Sequence, residues 1–334
     1  MRNLCVLLLA LLSLSMTQKP QWLRIQLNGT AQGTTYHITY YAPDSLVTQK
    51  QIDSILIRID NSLSIYKPQS LISRFNQSTI GITMDSHLKN VIRQSLQTCR
   101  QTNGIFDITL LPLVQAWGFG PTKNGQLPDS NTIKKLKSCV NSNYLRIKGN
   151  RLLKRKPCVQ IDVNGIAQGY SVDVLAGFLE QQGVQHYLVE LGGEIRVKGH
   201  KQPGNEKMKI GIEAPSDDLF EPSMMQKILV LDQGAITTSG SYRKFHESDG
   251  KKITHIIDPR TGYPTQNELI SVTVYARDAM TADAFDNALM VMGLKNALHW
   301  VEQRKDLAAH FIYRTPDGAV ADTASASFYK LLQR

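Results

Sequence analysis

Asp283 and Asn287 stand four residues apart in TADAFDNALMVM (281–292), so on a helix they stack on one face with Asp286 beside them. A carboxylate and an amide carbonyl are hard oxygen donors. They suit Mg²⁺, which takes one or two protein carboxylates and fills its remaining positions with phosphate oxygens and water. A second segment, IDVNGIAQGY (161–170), runs from an apolar strand into Asp162, Asn164 and Gly165, with a helix expected from about Gly169. Backbone amides at such a strand-to-helix turn hold anionic oxygens. It is neither a G-x-G-x-x-G fingerprint nor a P-loop. A third, THIIDPRTGYP (254–264), sets His255 on a strand for proton transfer and Arg260 in the following turn for bidentate phosphate binding.

Each segment also has a plainer reading. Residues 281–292 fit an amphipathic helix with its polar face in water, Asp162 a helix-entry cap, and Asp-Pro-Arg-Thr-Gly a hairpin turn. The loop-rich stretches 63–76 and 106–120 carry Tyr66, Phe75, Trp117 and Phe119, which could flank a flat ring or simply pack in the core. The Gly192-Gly193 pair and Ser239-Gly240-Ser241 read as turns.

The elements that must position these residues follow from periodicity. Strands are expected at 34–41, 186–191, 194–197, 208–212, 227–231, 253–257, 269–275 and 308–313. Helices are expected at 51–63, 85–98, 169–182, 281–292 and 294–304. Strands that mostly follow one another, with helices interspersed, predict an α+β (mixed α/β) fold: one compact domain over 20–334, with a mixed or antiparallel sheet and flanking helices.

Composition narrows the class. The 334 residues are 42% hydrophobic and 20% charged, which excludes disordered, fibrous and repeat proteins. The net charge of +10 suits an anionic ligand, whereas Lys154-Arg155-Lys156 is too short and lacks the aromatics of a nucleic-acid site, so no nucleic-acid partner is expected. Arg2, the apolar stretch 4–14 and small residues before Met16 read as a signal peptide over 1–15. The expected location is the periplasm, with a tether to the inner membrane if the leader is kept. After cleavage Cys99, Cys139 and Cys158 remain, without zinc-ligand spacing; one bridge or three buried thiols both fit.

Taken in order, GTTYHI (33–38), LSIYKPQSLISRFN (63–76), FDIT with WGFG (106–120), IDVNGIAQGYSVD (161–173), ELGGEI (190–195), TTSGSYRKF (237–245), THIIDPRTGYP (254–264) and TADAFDNALMVMG (281–293) resemble the ApbE family over nearly the whole chain after the leader. The resemblance implies a fold that binds FAD and Mg²⁺, cleaves the FAD pyrophosphate and transfers FMN to a threonine or serine of a partner flavoprotein, releasing AMP. It implies metal coordination by Asp283, Asn287 and the Gly165 carbonyl. FAD contacts are implied at Gln32, Tyr66, Asp107, Ile108, Thr109, Asp162, Gln168, Ile256, Ile257 and Arg260, with His255 beside the flavin phosphate. His255 or Asp283 would take the acceptor proton. The chain departs from the family at Asn287 (commonly threonine), Gln32 (often methionine) and Gln168 (usually lysine or glutamate). Two other functions stay open at this point: an exported FAD pyrophosphatase yielding FMN and AMP, and a flavin-binding protein without catalysis.

Overall fold

The computed structural model describes residues 21–122, 127–213, 225–241, 245–248 and 251–332. The leader lies outside the described residues, and among these no helix is long and apolar enough to cross a membrane.

An eight-stranded sheet organises the chain. Its strands are β1 (Leu23–Ala31), β2 (Thr34–Ala42), β3 (His186–Leu191), β4 (Glu194–Lys198), β5 (Gln233–Gly240), β6 (Leu269–Ala276), β7 (Ala308–Arg314) and β8 (Val320–Ala324). They lie side by side in chain order and every neighbouring pair is antiparallel. The expected fold class is therefore the observed one, with all pairs of this sheet antiparallel.

The first hairpin shows why the strands close where they do. Ala31 pairs with Thr34, leaving Gln32 and Gly33 as a two-residue turn with φ of 54° and 77°. Positive φ at both positions matches the right-handed strand twist, and glycine takes it without strain. β1, β5 and β8 were not expected from the sequence. β1 is a largely exposed edge strand, and its alternation is carried by half-buried side chains only. Ser239 and Gly240 belong to the end of β5 rather than to a turn, because Gly240 pairs with Ser271.

Long excursions leave the sheet between its strands. Between β2 and β3 come α1 (Gln49–Leu63), α2 (Ser86–Gln101) and α3 (Asn164–Gln181), with a three-stranded sheet formed by Gly81–Thr83, Arg151–Lys154 and Leu145–Lys148. Asp85 caps α2 through Leu88 N, as its sequence position predicts. Between β6 and β7 lie α4 (Ala279–Met292) and α5 (Leu294–Glu302). Two of the boundaries that differ from expectation bear on the site. α3 starts at Asn164, five residues early, with a kink at Gly165 (φ −86°, ψ 23°). The strand expected at 253–257 is observed as Lys251–Thr254, with Thr254 paired to Phe245. Beyond it the backbone closes on itself, Asp258 N donating to Tyr263 O and Thr265 N to Ile256 O.

α4 is buried on nearly all sides, packed against α3, β5 and β6. A helix apolar all round belongs inside a protein, not on its surface. Asp283 and Asp286 are only 3% and 1% exposed. The reading of residues 281–292 as a water-facing amphipathic helix is thus overturned.

Cys139 and Cys158 form a disulfide and Cys99 is free. The bond spans 19 residues, and closing a loop of that size restricts the unfolded chain by about 3 kcal/mol. Reduction, or the pair Cys139→Ser/Cys158→Ser, should lower the melting temperature by roughly 6 °C or more. Thermal melts with and without dithiothreitol check this; coincident curves would show that the bond contributes nothing.

Candidate functional site

The kinked start of α3 meets the middle of α4 at a group of buried polar side chains. Asp278 caps α4 through Thr281 N, and Asp173 on α3 accepts from Ala279 N and Met280 N while pairing with Arg196. These bonds fix the rotation of α4 against α3. One turn further, Asp283 Oδ2 accepts from Gly169 N at 2.9 Å. In a regular helix that amide would serve the Gly165 carbonyl. The contact needs close approach: a β-carbon on Gly169 would lie 2.3 Å from the Ala279 carbonyl oxygen and 2.8 Å from Asp283 Cβ.

Asn287 completes the group. Its Nδ2 donates to Asp286 Oδ1 (2.9 Å) and to the Asp283 carbonyl (3.0 Å), with a longer contact to Asp283 Oδ1 (3.4 Å), and its Oδ1 lies 3.4 Å from Ser239 Oγ on β5. A β-carbon on Gly165 would sit 3.2 Å from Asn287 Cγ, so the kinked backbone rests directly on the amide. Asp283, Asn287 and Gly165 are therefore brought together: helical spacing pairs the first two, and Gly165 is the position the family resemblance adds.

Burial dominates the electrostatics. It pushes Asp283 up to about 7, the Gly169 N–H opposing the rise and the Asp173 charge adding to it. Asp286 is raised well above the carboxylate range, first by burial and then by the charge of Asp283. No cationic side chain is among the causes at either group. Buried carboxylates are paired or bind metal, so this pair is chemically suited to a cation. The donor set of one carboxylate, one amide and a backbone carbonyl fits Mg²⁺. Among the described residues no cluster of three or more His, Cys, Asp or Glu suited to a metal occurs.

A pH dependence follows, with a definite sign. The folded pKa of Asp283 lies above its unfolded value, so the folded state holds the extra proton between them. The associated stability is present below the unfolded pKa and is lost as pH rises through about 7. Metal-free protein should therefore lose this contribution between about pH 4 and 7, and Asp283→Asn should flatten that part of the profile. Melting temperatures of the two proteins across this range test it; parallel profiles would contradict it.

The predicted flavin contacts fall into two groups. Tyr66 is 59% exposed, and its phenol is raised first by partial burial and then by the Asp162 charge, with the Asn164 side chain opposing. Asp162 Oδ1 accepts from Asn164 N at the entry to α3, and Asp162 N donates to Ile108 O. Asp107 is committed to the protein itself, accepting from Thr109 N, Thr109 Oγ1, Ser142 N and Ser142 Oγ. On the next turn of α3, Gln168 lies against Gly192 of the β3–β4 turn, and Gln32 donates to Ser171.

The second group is the turn after Thr254. Trp117 Nε1 donates to Gly262 O and packs with Leu113, Ile133 and buried Ile257, while Ile256 joins the main core. His255 stands edge-on to Phe119 at 6.1 Å between ring centroids. The Arg260 fork is engaged by Asp258, Nη2 to Oδ2 at 2.8 Å and Nε to Oδ1 at 3.0 Å. Phe75 and Trp117 are core residues, leaving Tyr66 as the exposed ring of the four aromatics singled out.

Four residues outside the predicted set shape the site: Gly169, Asp173, Ser239 and Asp286. Only Asp286 carried a signal, its place between Asp283 and Asn287. The others act across elements distant in sequence.

An antiparallel sheet in chain order, backed by a buried helix that presents oxygen donors to a kinked helix start, defines a class of α+β protein with one deep acidic site. The ApbE family model matches residues 32–311, and the chain belongs to that family. An FAD:protein FMN transferase of Vibrio cholerae serotype O1 is 37% identical over the whole of both chains. That of Escherichia coli K12 is 33% identical over 94% of this chain and 93% of its own. The solved flavin transferase ApbE from Vibrio cholerae has a TM-score of 0.83 at 34% identity, covering 93% of this chain and all of that one. The apo Pseudomonas stutzeri flavinyl transferase ApbE gives 0.84 at 33%, covering 93% and 97%.

Proposed function

We infer that this chain is an Mg²⁺-dependent FAD:protein FMN transferase, moving FMN from FAD onto a threonine or serine hydroxyl of a target flavoprotein with release of AMP. Membership of the family and the names of its relatives support the reaction. The observation that carries the metal requirement is the buried Asp283 carboxylate, with Asn287 and Gly165 against it and no cationic side chain among the causes of its shift.

Asp283, Asn287 and the Gly165 carbonyl would hold the cation, which when bound supplies charge neutralisation at the pyrophosphate. Gly169 N and the buried surroundings keep Asp283 fixed, so positioning is set before substrate arrives. Tyr66 and Asp162 flank the entry to α3, where a flavin or adenine ring can lie against the exposed phenol. His255 takes the proton of the incoming hydroxyl and holds it while AMP departs. The enzyme works on the periplasmic side. The leader supports this, and so does the Cys139–Cys158 bond, which suits an oxidising compartment. A retained leader would tether it to the inner membrane.

The test is incubation with FAD, with and without Mg²⁺, and with a candidate acceptor domain. AMP is quantified and the acceptor weighed. AMP release that needs Mg²⁺ together with a flavin-sized mass gain on the acceptor is expected. AMP release without any mass gain would make the protein a pyrophosphatase, and turnover indifferent to chelator would refute the metal site.

A further inference from the structure

Asn287 has a difficulty that an ordinary oxygen ligand does not. A side-chain amide has two ends of similar shape, one an acceptor and the other a pair of donors. Rotated by half a turn, it would present N–H groups to a cation and repel it. Something must hold the nitrogen end.

Two acceptors do so here. The Asp283 carbonyl takes one Nδ2 hydrogen at 3.0 Å and Asp286 Oδ1 takes the other at 2.9 Å. These are the two short Nδ2 contacts; a longer one reaches Asp283 Oδ1 at 3.4 Å, and Asn287 Oδ1 faces the Ser239 hydroxyl, also at 3.4 Å, too long for a strong bond. The carbonyl contact is a feature of the helix backbone, but the Asp286 contact is a choice of side chain. Asp286 is only 1% exposed, and the Thr237 hydroxyl that faces it from β5 does not close to a hydrogen bond. A carboxylate kept so deep beside another one is unfavourable by itself. It therefore calls for a compensating role, and its one strong side-chain contact is Asn287.

We propose that Asp286 is a positioning residue that locks the Asn287 amide so that Oδ1, not Nδ2, remains the end available to the metal. The proposal rests on the Asp283–Asn287–Gly165 metal reading and extends it to a residue that touches neither metal nor substrate. A threonine at 287 would not need this device, because a hydroxyl oxygen can accept and donate from one atom. Asp286 and Asn287 therefore work as a pair.

Calorimetric titration of the full chain with Mg²⁺ alone, in the absence of FAD, tests this. Loss of an outer partner of a ligand weakens metal binding about 10–100-fold, and Asp286→Ala should do so. Asp286→Asn keeps an acceptor oxygen and should stay within about threefold of the native affinity, since the orienting bond survives. Adding Asn287→Thr to Asp286→Ala should restore binding. Unchanged affinity in Asp286→Ala, an equal loss in Asp286→Asn, or no rescue by threonine would each overturn the proposal. An equal loss in Asp286→Asn would make Asp286 a direct ligand by its charge. Circular dichroism melts confirm folding, and Asp286→Ser serves as the truncation if the alanine variant does not fold. Asp283→Asn separates the two levels: if it still binds Mg²⁺, the metal site itself is misassigned, whereas its loss beside a fully competent Asp286→Ala removes only the positioning role.

Discussion

Asp283→Asn is expected to reduce magnesium-dependent AMP release from FAD on the order of 10³-fold, about 4 kcal/mol of transition-state stabilisation. Asparagine is the informative substitution because it keeps the size of the side chain and an acceptor for Gly169 N, while removing the charge. The native carboxylate is buried and lifted to about 7 by that burial, so a cation and this anion each stabilise the other in the site. Without the charge, the cation loses its one carboxylate among the assigned donors, and the pyrophosphate loses its clamp. The metal-free variant should meanwhile melt no lower than the native protein at pH 8, since a buried charge has been removed. Retention of more than a tenth of native AMP release at saturating Mg²⁺ would remove Asp283 from the site. A low melting temperature with lost activity would instead mark it as structural.

Gly169→Ala should be strongly damaging, because the helices at the site leave no room for a single added methyl group. The added carbon would meet the Ala279 carbonyl oxygen at 2.3 Å, its carbon at 2.7 Å and Asp283 Cβ at 2.8 Å. Two of these are backbone atoms of a capped helix start, so α3 and α4 must separate. Overpacking of this kind costs about 3 kcal/mol, and stretching the Gly169–Asp283 hydrogen bond adds about 1 kcal/mol. A melting temperature lower by roughly 8 °C or more is expected, together with loss of Mg²⁺ affinity. Gly177, in the same helix, has nothing within 4 Å of an added β-carbon. Gly177→Ala should therefore be neutral or stabilise by up to about 1 kcal/mol through helix propensity. Equal melting temperatures for the two variants would contradict the close approach of the helices.

Much of the fold was legible because it is local. The period-two run at β2 and the Asp85 cap of α2 are decided within a few residues. So are the α4 stop at Gly293 and the Asp-Pro-Arg-Thr-Gly turn. Their backbone partners or dihedral demands lie close in sequence. The misplaced boundaries are those settled by distant partners. β5 extends through Ser239 because β6 lies beside it. α3 begins at Asn164, and its early start rests on α4, Gly165 lying against Asn287 and Gly169 N donating to Asp283. The Cys139–Cys158 pairing, one of several the composition allowed, depends on a fold that brings the two sulfurs together.

The sequence by itself determined which side chains could bind an anion or a cation, the α4 spacing that stacks Asp283 with Asn287, and the order of motifs that marks the family. Only the tertiary structure decided that this polar stripe faces inward. Helical periodicity says which residues share a face, but not whether that face meets water or protein. The rest of α4 is apolar and the helix is enclosed by α3, β5 and β6, so its carboxylates lose their solvent. That loss of water turns an ordinary Asp-x-x-Asp-Asn pattern into a site with a demand for positive charge.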